Sequence, residues 1–210
     1  MTIIACLPPA LLWAAQFAAS TDSTKGAICA VEARQSGSKL RIAAVDGHRA
    51  FRCFLPPIEG FFLPEEPIRL LPKAFSKAPS RKAVKAEFDD GGIVSFKDKN
   101  GLVVGSTVWT ADPWALSEQD FPGLDQLWPT ELSCKPGTFV AFNAAYLADF
   151  MKIADKLANN SVVKMYSQES PIAPIVWQAM LDQSWLGDGK EIEEYIVLEY
   201  LVMPVQVRGQ

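Results

Sequence analysis

The chain has one histidine, His48, in 210 residues, and its four cysteines form no CxxC pair. A zinc site would need an unusual constellation, and catalysis through imidazole would have to run through that single side chain. A GxSxG elbow, a phosphate-binding glycine loop and an acidic pair at a recognisable spacing are also missing, so no active site and no cofactor are expected. Asp89-Asp90 reads as a turn former, and His48 as a turn residue. No apolar run reaches the ~18 residues of a membrane span. Met1 to Ser20 is apolar but lacks a basic start and is interrupted by Pro8-Pro9, which argues against a secretory leader and for a cytoplasmic chain. Cys6, Cys29, Cys53 and Cys134 lie far apart in apolar stretches and read as core thiols of a reducing compartment. Positive charge is not in excess: 20 basic against 24 acidic residues give −4. That balance gives no whole-chain sign of a nucleic-acid partner, although only the charge of a contacting face would matter.

What is present is material for a core, 49% hydrophobic and 10% aromatic, enough for one or two domains. Lys39 to Pro56 reads strand, turn, strand, with Asp46-Gly47 as the tight turn and His48-Arg49 directly after it. Before it come a strand at Thr2 to Cys6, an uncharged helix opened by Pro8-Pro9 and running through Ala10 to Ala19, and a strand at Ala27 to Ala33. The order then recurs. Ile68 to Leu71 is a strand, Pro72 to about Ser76 a short helix that Pro79 must end, and Val84 to Phe88, Ile93 to Lys97 and Leu102 to Thr110 are strands joined by glycine turns. Ala111 to Pro129 is a loop rich in proline and tryptophan.

The third round starts with a strand at Thr138 to Phe142 and a helix from Ala144 to about Asn159, with Asn143 as its N-cap. Its apolar face is Tyr146, Leu147, Phe150, Met151, Ile153, Ala154 and Leu157, and Asn159-Asn160 is expected to stop it. Strands follow at Ser161 to Tyr166, Ile172 to Leu181 (its start an edge or a bulge because of Pro171 and Pro174) and within Glu194 to Val207. Strand-helix-strand-strand-strand thus occurs three times, at roughly 1–56, 68–125 and 138–207. The expectation is an α+β protein with helices on one face of antiparallel sheets.

DGHRA at Asp46 to Ala50, FPGLDQLWP at Phe121 to Pro129, FNAAYLADFMKIAD at Phe142 to Asp155 and YLVMPVQVR at Tyr200 to Arg208 resemble signatures of the bacterial DNA polymerase III beta sliding clamp, in the order of that family. LLPKAFSK at Leu70 to Lys77 is similar to the start of its middle domain's second helix. The resemblance implies a DNA-clamp-like fold in reduced form: residues 1–130 as a middle domain of two units, and 131–210 as the second half of the last domain. A full ring of twelve such units would take four chains, and the reduced form suggests a phage or mobile-element source. The family's groove for short motifs of polymerases and other clamp-binding proteins would here be Gly47, His48, Arg49 and Ala50, then Pro122 and Leu127, then Leu201, Val202, Met203 and Pro204. Ala50 stands where the family has leucine, and Val205 where a second methionine is often seen.

The family's helices meet DNA phosphates through basic side chains, without reading sequence. The corresponding cluster here is Lys73, Lys77, Arg81 and Lys82, with Lys85 beside it, and Lys152 with Lys156 on the third helix, where Asp149 and Asp155 also fall on the exposed face. Two readings follow. One is a processivity factor that contacts double-stranded DNA and tethers a polymerase through the groove. The other is a non-encircling adaptor or decoy for clamp-binding-motif proteins. Unpaired sheet edges imply self-association in either case.

Overall fold

The computed structural model describes residues 2–22, 28–109, 121, 123–129, 142–167, 173–187 and 194–204. In chain order these form β1 (Ile3–Leu7), α1 (Pro9–Gln16), β2 (Val31–Ser36), β3 (Lys39–Val45), β4 (Arg49–Leu55), β5 (Ile68–Leu70), β6 (Lys85–Asp89), β7 (Ile93–Lys97), β8 (Val103–Val108), α2 (Ala144–Leu157), β9 (Ala158–Tyr166), β10 (Ile175–Leu181) and β11 (Val197–Val202). Single 3-10 turns stand at Pro72–Phe75, Leu124–Gln126 and Gln183–Leu186. The strand expected at 138–142 and Cys134 fall outside the described residues, apart from Phe142, which is not in a strand.

The strands build a four-stranded sheet in the order β1-β6-β7-β8 and a seven-stranded sheet in the order β5-β2-β3-β4-β11-β10-β9. All the strand pairings are antiparallel. The first strand of each of the first two units sits in the other unit's sheet, β1 on β6 and β5 on β2, which locks the two together. The third unit joins through β11, whose Leu198 to Val202 pair with Cys53 to Arg49 of β4. A continuous ladder therefore runs from the first unit into the third.

Helix α1 carries no charge, and Pro9 through Ala15 are all buried, in keeping with a helix apolar on every side. It packs on β3 and β4. Helix α2 is amphipathic: the Asn143 side chain accepts from the Ala145 N–H at 3.0 Å, a cap worth about 1 kcal/mol, and Phe150, Ile153, Ala154 and Leu157 enter the core. Met151, expected on that face, is 43% exposed. The helix ends at Leu157, two residues before the asparagines expected to stop it, because Ala158 is already extended and pairs with Leu181. Trp177 and Tyr200 stack at 6.0 Å with Phe150 against both, so β10, β11 and α2 share one aromatic layer. Burial pushes the Cys6 thiol up to about 11 and that of Cys53 further, which fits core thiols at these two positions, whereas Cys29 is only partly buried.

Two expectations need correction. The second helix is only the 3-10 turn Pro72–Phe75, because the chain from Ser76 to Pro79 cannot continue it once proline removes the next donor. Strand β10 is not an edge: it lies between β11 and β9, and Pro174 precedes its first paired residue, so no ladder bond is lost. One edge of the smaller sheet is β8, where Leu102, Val103, Val104 and Val108 are exposed and no residue from Leu102 to Trp109 is charged; the other is β1.

Candidate functional site

Side chains alternate between the faces of a strand. On β4, Phe51, Cys53 and Leu55 enter the large core beneath the helices, and Ala50 and Arg52 turn to the opposite, outer face. The same alternation brings Ala43 and Val45 of β3, Leu201 of β11 and Val176 of β10 to that outer face as one apolar patch. Leu124 and Trp128 lie across it, and Ile28, Phe121 and Tyr166 pack at its margins.

The hairpin at one end of the patch is built by its aspartate. The Asp46 carboxylate accepts the His48 N–H at 2.8 Å and the Arg49 N–H at 3.0 Å, and the Asp46 N–H donates to the Arg49 carbonyl at 3.1 Å. Gly47 has φ +94°, a conformation other residues rarely adopt. The Met203 N–H donates to the His48 carbonyl at 2.8 Å, so the end of β11 is tied to the turn. His48 and Gly47 are exposed, Pro204 is half-buried, and Met203 and Leu127 are 38% and 39% exposed.

Of the residues the resemblance suggested, Gly47, His48, Ala50, Leu201, Met203 and Pro204 are thus brought together, and Leu127 belongs to the loop laid on the same patch. Arg49 and Val202 are not on this face. They pair with each other across the ladder, Val202 enters the core, and Arg49 reaches α2. Arg49 and Ala50 are neighbours on β4, as are Leu201 and Val202 on β11, and adjacent strand side chains point to opposite faces. Pro122 lies outside the described residues.

On the helix side Arg49 is a junction. Its guanidinium donates to Asp149 of α2 at 2.6 Å, to Asp46 at 2.8 Å and to the Tyr200 hydroxyl at 3.1 Å, and it stands 4.6 Å over the Tyr146 ring. Burial alone would lower its pKa, but the Tyr200 oxygen and the two carboxylates outweigh burial, so it is raised. Burial raises Tyr200 against the opposing pull of Arg49. Asp149, expected on the exposed face of the helix, is instead mostly covered by this contact.

The outer face also holds charges that sequence reasoning missed. Arg41, 1% exposed within β3, donates to Glu32 of β2 at 2.9 Å and to Asp125 of the loop at 3.2 Å. Arg52 pairs with Glu199, which also accepts from Gln178 at 2.8 Å, and lies 4.2 Å over the Trp128 ring. Asp125 and Trp128 therefore pin the loop that carries Leu127. A charge inside the apolar run of β3 was a usable signal, since a buried arginine needs a partner.

The basic candidates divide. Arg81 pairs with Asp182 at 3.5 Å and stands over Trp185, and Lys152 pairs with Asp149 at 3.3 Å. Lys73, Lys77 and Lys82 are exposed, have no ion-pair partner among the described residues, and line one cavity of about 600 Å³ beside α1. No group of three or more His, Cys, Asp or Glu side chains among the described residues could hold a metal ion. No described helix is long and apolar enough to cross a membrane.

No sequence-family model matches the chain, and no curated protein sequence does. Solved structures do match. The DNA polymerase III beta chain of Streptococcus pneumoniae superposes with a TM-score of 0.55 at 16% identity, covering 99% of this chain and 66% of that one. The beta subunit of Thermotoga maritima gives 0.58 at 14%, covering 98% and 66%. The Pol III beta of Caulobacter crescentus gives 0.59 at 17%, covering 99% and 67%. The chain thus spans about two thirds of the length of these clamps, and its fold is that of the bacterial DNA polymerase III beta sliding clamp.

Proposed function

We propose that the chain is a non-enzymatic, clamp-like adaptor or decoy whose outer-face patch receives an extended peptide from DNA polymerases and other clamp-binding-motif proteins, without encircling DNA. In this reading residues 1–130 form one body and 131–210 the half-domain that completes the groove. The observation carrying it is that Leu127 and Met203 stay partly exposed around an otherwise covered patch at the seam of β4 and β11. An extended peptide with leucine or phenylalanine anchors is the natural occupant of such an apolar site with a polar rim, and an unbranched methionine adapts to varied anchors. What favours a non-encircling role is the helix side. Helix α1 offers no charge, and Arg81 and Lys152 are already engaged by carboxylates.

Met203→Glu and Leu127→Glu are each expected to weaken a labelled clamp-motif peptide roughly tenfold or more, since an apolar side chain contributes about 1.5–3 kcal/mol on burial and about 1.4 kcal/mol is tenfold. Unchanged titration curves for both variants would remove the groove assignment.

A second reading, a processivity factor that contacts double-stranded DNA, rests on the unpaired Lys73, Lys77 and Lys82. Either way the uncharged edge of β8 favours self-association, because such an edge is a template for another strand. Sedimentation at rising concentration is expected to yield oligomers that Val103→Lys with Val104→Lys dissociates. A wild-type chain monomeric throughout would contradict it.

A further inference from the structure

The cavity beside α1 exists because of the shortened second helix. The first unit lays α1 over its sheet, and the third lays α2 over its own, but the second unit has only the turn Pro72–Phe75. From Ser76 onward its chain crosses above β7 and β8 as a loop, and the space left between is the cavity of about 600 Å³. Its lining includes Trp13, Phe75 and Phe96, and Gly105 of β8 adds no side chain to fill it. Lys73, Lys77 and Lys82 stand around it without an acidic partner among the described residues.

We propose that this cavity is a second docking site, separate from the outer-face patch, for an acidic peptide segment carrying one aromatic or branched aliphatic side chain. Three unpaired ammonium groups attract carboxylates, and an aromatic-lined cavity rewards an apolar group inserted between them. Duplex DNA could satisfy the lysines, but it presents phosphates on a convex surface and has no apolar side chain to enter the cavity. A peptide uses both features.

Gly105 separates the two. Its backbone is not in the left-handed region, and an added Cβ would meet only Phe96, at 3.9 Å. Gly105→Val therefore fills the cavity on a strand that accommodates β-branched residues and leaves every charge in place. The probe is a labelled peptide with two glutamates on each side of a central phenylalanine, compared with its alanine-centred counterpart by fluorescence anisotropy at low salt. The phenylalanine peptide is expected to bind the full chain. Affinity is expected to fall by roughly tenfold with the alanine peptide, with Gly105→Val, and with Lys77→Glu plus Lys82→Glu. Gly105→Ala, checked with the others by circular dichroism, is expected to bind nearly as wild type. Leu127→Glu should leave this probe unaffected, so failure here is distinguishable from failure at the outer face. The proposal is overturned if the phenylalanine peptide does not bind, if it binds no better than the alanine one, or if a DNA duplex displaces it and binds Gly105→Val as tightly as wild type.

Discussion

Arg41→Ala is expected to cost about 3 kcal/mol of stability, because it strips the buried Glu32 carboxylate of its hydrogen-bonded partner and leaves it facing the half-exposed Arg34, 3.9 Å away. The ion pair is among the least accessible in the protein, with side-chain exposures of 1% and 4%. Taking the two charges out of water is already expensive, so the pair contributes little beyond its hydrophobic equivalent, and the damage comes from removing one partner alone. The double variant Arg41→Met with Glu32→Gln is therefore expected to recover most of the loss in urea unfolding. The single variant also weakens the hold on Asp125, leaving it the longer contact with Arg34 at 3.9 Å. Its loop is expected to exchange amide hydrogens faster, and peptide affinity at the outer face should fall even in the fraction that stays folded. A single variant as stable as wild type would mean that Glu32 is not confined as described.

Arg49→Met is expected to be the second most damaging change, at about 2 kcal/mol, since it removes the guanidinium shared by Asp149 and Asp46 in a partly covered junction, leaving Lys152 to face Asp149 and backbone N–H groups to hold Asp46. Both carboxylates and the arginine are 14–21% exposed, so solvent softens the loss relative to Arg41. Arg49→Lys is expected to rescue little. One ammonium cannot reproduce a planar fork that meets Asp46, Asp149 and the Tyr200 hydroxyl while resting on the Tyr146 ring. Because these contacts join the hairpin to α2, the loss should appear as faster hydrogen exchange in α2 and at the β4–β11 seam, with α1 unaffected. Equal loosening of α1 would mean that Arg49 acts on the fold as a whole.

The hairpin was legible from its residues. Asp46-Gly47 demanded a turn, the aspartate supplied its own cap, and the apolar residues after it gave β4 within one residue. Asn143 marked the start of α2 by the same local chemistry. Less visible was anything set by a distant partner. Asn159-Asn160 look like a helix stop, yet pairing of Ala158 with Leu181 ends the helix first, because a ladder bond outweighs weak local propensity. Pro72 and Pro79 bracket an expected helix, but only the four residues Pro72–Phe75 turn, and as 3-10. At the site, the resemblance placed Arg49 and Ala50 side by side, and the alternation of β4 sends them to opposite faces. Arg41 was passed over because its partners, Glu32 and Asp125, meet it only through the β2–β3 register and a returning loop.

The measurement that bears most directly on the outer-face site is methyl NMR of the methionine-labelled chain titrated with a clamp-motif peptide. Met203 lies at the seam of β4 and β11, whereas Met151 is on α2 and Met165 pairs with the inward-facing Trp177. The Met203 methyl signal is expected to shift and saturate while those of Met151 and Met165 stay fixed. Binding that moves Met151 or Met165 and leaves Met203 in place would put the peptide on the helix side and contradict the site.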